Sequence, residues 1–108
     1  MPEPKSDIEL ILDALGDGTR RKIVDCLSSG PATVSALAAR SGVTLTAVAQ
    51  HLRVLETARL CATEKVGRVR TCRLETQGFD ALSDWAKQRR SIWDTRVDRL
   101  AALFEDQN

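Results

Sequence analysis

Leu45, Thr46, Ala49, Gln50 and Arg53 recur at the spacing of one helix face, and their types suit contact with the edges of nucleic-acid bases. The Gln50 amide can pair bidentately with adenine, Arg53 can reach a phosphate or a guanine, and Leu45 can meet a thymine methyl. The face is small, polar and basic, and it carries no carboxylate. Ala47, Val48, His51, Leu52 and Leu55 repeat the same spacing on the opposite side and read as the anchored face. His51 turns toward that side, so packing or a phosphate contact suits it better than base reading. Thr44 stands where an N-cap hydroxyl would start this helix. Ahead of it, Val34, Leu37 and Ala38 form the stripe of a shorter helix, closed by Gly42 at the position of a left-handed cap. Helix, tight turn and two-faced helix together predict a helix-turn-helix that lays its second helix in a DNA major groove.

A helical hairpin with a merely solvated face would share this pattern, but the distribution of charge favours the nucleic-acid reading. The net charge is only +1, yet Arg40, Arg53, Arg59, Lys65, Arg68, Arg70 and Arg73 meet just Glu56 and Glu64 between positions 40 and 73. That stretch carries +5 and the rest of the chain −4, a basic centre between acidic ends. Leu60–Glu64 and Val69–Leu74 read as strands around Gly67, a hairpin whose tip, Lys65–Arg70, is basic. A basic hairpin directly after a helix-turn-helix is a wing, which makes Arg68 and Arg70 candidates for phosphate or minor-groove contact.

The remaining elements must hold these residues in place. At 108 residues and 43% hydrophobic content the chain suits one small domain, whose modest core a dimer interface would enlarge. Residues 1–6 read as a mobile lead-in, 7–75 as the winged core and 76–108 as a C-terminal helix of the same domain. Asp7–Leu15 is predicted helical, with Ile8, Ile11, Leu12 and Leu15 as its stripe and Leu10 outside it, hinting at a second apolar contact. Thr19–Leu27 follows the Gly16–Gly18 break. Arg20, Arg21 and Lys22 near its start oppose the helix dipole, so they are expected to serve a partner or solvent rather than stability. Ser28–Pro31 is a stop and turn. Thr76–Glu105 keeps a near-heptad seam of Leu82, Trp85, Ala86, Ile92, Trp93, Val97, Leu100, Leu103 and Phe104. At roughly 45 Å it would overrun a domain of this size, so it is expected to pack on its own domain and on a symmetry mate. Leu10, Leu82, Trp85, Trp93, Val97, Leu100 and Phe104 are the candidate dimer contacts; a pocket for an aromatic ligand is the alternative use of the tryptophans. No apolar run is long enough for a membrane span, and no signal-peptide pattern opens the chain. Three cysteines in no framework suggest a reducing cytoplasm.

With these elements in order, the chain resembles the ArsR/SmtB family of small bacterial winged-helix repressors over about residues 7–104. The resemblance is carried by Ala14-Leu15-Gly16-Asp17-Gly18-Thr19-Arg20-Arg21-Lys22-Ile23-Val24, by Ala47-Val48-Ala49-Gln50-His51-Leu52-Arg53-Val54-Leu55, by Ala58-Arg59-Leu60 and by Gly67-Arg68. Gly18 stands where the family usually has proline. The resemblance implies a winged helix-turn-helix, mainly α with a small β-hairpin, dimerising through the long C-terminal helix. It implies a homodimer that blocks transcription on a short inverted-repeat operator in double-stranded DNA and answers to an inducer. It also places Thr44, Thr46, Gln50 and His51 at positions that contact phosphates or bases.

The family's metal ligands are absent. The helix from Val34 begins Val34-Ser35-Ala36-Leu37 with no thiol, His51 is the single histidine, and the last helix has none, so no metal or other cofactor is expected. This pattern resembles the family branch without metal ligands. Of the thiols Cys26, Cys61 and Cys72, the last two invite a switch. A two-residue turn at Val66-Gly67 would set Cys61 opposite Cys72, whereas a three-residue loop would set Cys72 beside Ala62 on the core face. Packing as small hydrophobes is the expectation for both; a redox or arsenite-type sensor is the alternative. No nucleophile-base arrangement or phosphate-cradling loop suggests an enzyme. The remaining alternative is a winged-helix module that contacts proteins instead of DNA.

Overall fold

In the computed structural model, which describes residues 3–105, the order is α1 (Asp7–Leu15), α2 (Gly18–Ser28), β1 (Ala32–Thr33), α3 (Val34–Ser41), α4 (Leu45–Thr57), β2 (Cys61–Val66), β3 (Val69–Leu74) and α5 (Thr76–Glu105). The first four helices each start on a side-chain cap. Ser6 and Glu9 form a reciprocal capping box on α1. Asp17 accepts from the Arg20 N–H at 3.0 Å, a bond that holds its carboxyl below the usual carboxylate range. Thr33 accepts from Ala36 and Thr44 from Ala47, each at 3.1 Å. Such caps contribute about 1 kcal/mol apiece. The lead-in is thus tied at its end by Ser6 and by the Lys5–Asp13 ion pair; Met1 and Pro2 lie outside the described residues.

The core gathers one stripe from each of α1–α4 and closes on the hairpin: Ile11 and Ala14, Ile23 and Leu27, Leu37 and Ala38, Val48, Leu52 and Leu55, with Leu60, Cys61 and Cys72. The α1 stripe is rotated from expectation. Ala14 is fully buried while Leu12 is 43% exposed, because the close approach of neighbouring elements selects the small residue.

Arg20 and Arg21 overturn the dipole argument. Arg20 donates from Nε to the Ala14 carbonyl at 2.7 Å and from Nη2 to that of Asp13 at 3.1 Å. Arg21 donates from Nη1 to the Leu15 carbonyl at 2.9 Å. Both close the carboxyl end of α1, where carbonyls lack helical partners and cations are favoured. Their own helix opposes them slightly, but the preceding one gains more.

The hairpin takes neither register considered from the sequence. Its two-residue turn is Gly67-Arg68, Gly67 has φ +62°, and Val66 faces Val69. Glycine at the first turn position with positive φ suits the tight turns that match strand twist. The strands also gain a third member: β1 pairs with β3, Ala32 opposite Cys72, to give the antiparallel order β1-β3-β2. Two residues are too few for alternation to reveal.

The end of α4 and the start of α5 are locked together. Arg59 takes φ +59°, its N–H bonds to Glu56 O at 2.9 Å, and the Leu60 N–H bonds to Leu55 O at 2.9 Å, a Schellman closure with arginine in the usual glycine place. The exposed Arg59 carbonyl accepts from the Gly78 N–H at 2.8 Å. A Cβ on Gly78 would lie 2.6 Å from the Ala58 and Arg59 carbonyl oxygens. Beyond this joint Phe79, Leu82 and Trp85 are half-buried, and Arg89 lies over the Trp85 ring at 5.1 Å. From Ala86 to Glu105 every residue is exposed. The radius of gyration is accordingly 19.3 Å, against about 13 Å for a compact chain of this length.

Replacing Gly78 by alanine is expected to destabilise the fold by about 1–3 kcal/mol, despite alanine's better helix propensity, since backbone carbonyls must move. Gly18→Ala, whose Cβ would meet only the Arg21 side chain at 3.7 Å, is expected to leave the midpoint unchanged or raise it. Thermal and urea unfolding of the two variants check this pair of outcomes.

Candidate nucleic-acid interface

Gly42, at φ +68°, turns the chain between α3 and α4, and the Thr44 cap then sets the direction of α4. Val48, Leu52 and Leu55 anchor one side of α4. Leu45, Thr46, Gln50 and Arg53 are exposed on the other, with Ala49 half-buried among them. Leu45 keeps 56% of its surface exposed, unusual for a leucine with a core close by. The Thr44 hydroxyl accepts from Ala47, which leaves its own hydrogen free to donate.

An open cleft of about 560 Å³ separates this face from the wing. The structure brings Leu45, Thr46, Ala49, Arg68 and Arg70 together around it. It adds Thr33, Ser35 and Val69, which the sequence reading missed. Thr33 had a legible signal, since it stands three residues before Ala36 at the start of an apolar stripe; Val69 depended on the hairpin register. Gln50 lies farther along the exposed face, and Arg53 borders a separate hollow beside α1 with Leu10, Val54 and Thr57. His51 is half-buried on the flank facing α2, its Nδ1 3.4 Å from Arg20 Nη1.

Among the described residues the two ion pairs are Lys5–Asp13 and Arg90–Asp94. The bases from Arg40 to Arg73 therefore have no acidic partner there, and their field is directed outward. Arg70 is nevertheless held: its Nη2 donates to Thr63 Oγ1 at 3.5 Å, and that hydroxyl donates to Glu56 at the end of α4. One acid of the basic stretch thus ties recognition helix and wing together.

The dimer candidates divide into two groups. Leu10, Leu82 and Trp85 are half-buried on their own domain, whereas Trp93, Val97, Leu100 and Phe104 are 43–66% exposed along the free half of α5. Cys61 and Cys72 are buried diagonal neighbours on one face of the hairpin, since Cys61 pairs with Leu74 and Cys72 with Thr63. The hydrogen bond with Cys72, followed by burial, pushes the Cys61 thiol far above its ordinary range. Among the described residues no three of His, Cys, Asp and Glu converge as metal ligands, and no helix is long and apolar enough to cross a membrane.

A helical core, a two-faced helix after a tight turn and a basic β-hairpin define a winged helix-turn-helix. Residues 15–63 match a family described as a helix-turn-helix domain. The chain is 48% identical over 69 residues to the HTH-type transcriptional regulator Rv2034 of Mycobacterium tuberculosis, a match spanning 64% of each protein. It is similar to the crystal structure of the ArsR family transcriptional regulator RHA00566, with 37% identity, 87% of this chain and 97% of that one covered, and a TM-score of 0.77. An ArsR-like transcriptional regulator from Rhodococcus sp. RHA1 superposes with a TM-score of 0.82 at 27% identity, over 93% and 92% of the two chains. The chain belongs to the ArsR family of transcriptional regulators.

The thiol environments have a direct consequence. Alkylation of the native protein is expected to modify half-buried Cys26 first, with Cys61 and Cys72 reacting only as the fold opens. Mass-spectrometric timing of the three adducts checks this, and equal rates at all three would contradict the buried pair.

Proposed function

We propose that this chain acts as a homodimer that binds a short inverted repeat in double-stranded DNA and represses transcription there, without a metal cofactor. The observation that carries the reading is the acid-free face of α4 set across an open cleft from a basic wing. Leu45, Thr46, Ala49 and Gln50 enter the major groove, with Gln50 reading a base. Thr44, His51 and Arg53 meet the backbone at its edges, and Arg68 and Arg70 follow the strand beside the wing. The free half of α5 supports the dimer. Most helical stability in proteins comes from packing of an apolar face rather than from propensity, and this half of the helix leaves Trp93, Val97, Leu100 and Phe104 exposed together. A second copy along that stripe would set two α4 helices about one DNA turn apart, roughly 34 Å, to match an inverted repeat. The protein would work in the cytoplasm, where an inducer that lowers DNA affinity would complete the circuit. Burial of Cys61 and Cys72 favours packing over thiol sensing.

The test is binding of the purified protein to the DNA upstream of its coding region against a scrambled duplex, over a range of salt. Affinity is expected to fall steeply with salt, and Arg68→Ala to weaken both duplexes alike and reduce the slope by about one. Gln50→Ala is expected to cost about 1–3 kcal/mol on the specific duplex alone. Equal, salt-independent binding to both would favour a protein-contact module. Separately, Trp93→Asp with Leu100→Asp is expected to yield monomers in sedimentation equilibrium and to weaken DNA binding sharply.

A further inference from the structure

The single imidazole of the chain sits on α4, and its surroundings are more specific than packing requires. His51 Nδ1 lies 3.4 Å from Nη1 of Arg20. The same guanidinium is fixed by its bonds to the Ala14 and Asp13 carbonyls at 2.7 and 3.1 Å, and its backbone N–H by Asp17 at 3.0 Å. A guanidinium has donors and no acceptor. The imidazole nitrogen facing it is therefore the bare one, and the ring proton sits on Nε2. Nε2 finds no hydrogen-bond partner among the described residues, and it is not one of their buried unpartnered atoms, so it opens to solvent. His51 occupies the flank of α4 toward α2, away from the wing cleft.

We propose that Arg20 is a positioning residue for DNA binding: it fixes His51 as the Nε2–H tautomer and presents that N–H as a donor to a backbone phosphate. The proposal rests on the DNA-binding reading above. It gives Arg20 two roles from one planar fork, since Nε and Nη2 close α1 while Nη1 sets the imidazole. It also separates His51 from the base readers, because a phosphate contact fixes position and carries no sequence information.

The first measurement is a long-range proton–nitrogen NMR spectrum of the wild-type imidazole, which reports the tautomer without any substitution. The Nε2–H form is expected; the Nδ1–H form overturns the inference. The second compares two amides on the upstream and scrambled duplexes at fixed salt. The nitrogen of His51→Gln falls near Nε2 and that of His51→Asn near Nδ1. His51→Gln is expected to bind within about threefold of wild type, and His51→Asn to lose about tenfold on both duplexes, the scale of one charge-assisted hydrogen bond. Arg20→Lys, with its fold verified by circular dichroism, is expected to mix the tautomers, and its DNA loss should not add to that of His51→Asn. Equal affinities for the two amide variants, or full additivity with Arg20→Lys, leave the DNA reading intact and overturn the role of Arg20. If the wild type binds neither duplex, the DNA reading fails and the phosphate contact falls with it.

Discussion

The hydrogen bond from Gly78 to the Arg59 carbonyl, made where no side chain fits, is the constraint on which the rest of the molecule depends. Arg59 accepts a left-handed backbone at a cost of about 1–2 kcal/mol. In return, Leu60 buries against the foot of α4 and the carbonyl turns outward to receive α5. The joint holds a helix of thirty residues, most of it beyond its own domain. At that length a small change of angle at Gly78 becomes a large displacement at Phe104. In the proposed homodimer the same joint would set the distance between the two recognition helices, so repacking there would reach DNA directly.

Arginine is used in two physically distinct ways in this chain. Arg20 and Arg21 satisfy the carbonyls that end α1, and Arg20 also reaches the imidazole of α4, so three helices meet at one guanidinium. The arginines of the basic stretch have no acid to neutralise them among the described residues. Unpaired charge of one sign around an open cleft adds little to stability but much to attraction for a polyanion. Glu56 shapes this field without cancelling it. It bonds to the Thr63 hydroxyl, and that hydroxyl receives Arg70, so the wing keeps its charge and gains an orientation.

The sheet illustrates how burial, more than reactivity, accounts for the thiols. One register places Cys61 and Cys72 as diagonal neighbours on the buried face, with the Cys61 thiol within reach of the Leu52 carbonyl of α4 at 4.0 Å. Their small apolar volume lets the hairpin lie close to the recognition helix. The tip, by contrast, keeps Val66 and Val69 in solvent beside Arg68, because nothing in the monomer extends far enough to cover it.

By itself the sequence determined what depends on near neighbours along the chain. The two faces of α4 follow from a period of 3.6, its start from the Thr44 hydroxyl, the turn before it from Gly42, and the basic centre from a simple distribution of charge. The strings around Thr19-Arg20-Arg21 and His51-Leu52 were enough to mark the family. Only the tertiary structure decided what depends on residues far apart in sequence. The two-residue strand β1 exists because β3 offers it a partner. The hairpin turns at Gly67-Arg68 rather than at Val66-Gly67, with Gly67 at positive φ in the first turn position; both turns put Cys61 and Cys72 on one face, and alternation near a mixed tip leaves the choice open. Arg20 stabilises a helix other than its own, and Gly78 matters because the end of α4 lies against it. Periodicity reports which side of an element is apolar; which groups then meet across the core is decided by packing, where bonds form between elements that the sequence keeps apart.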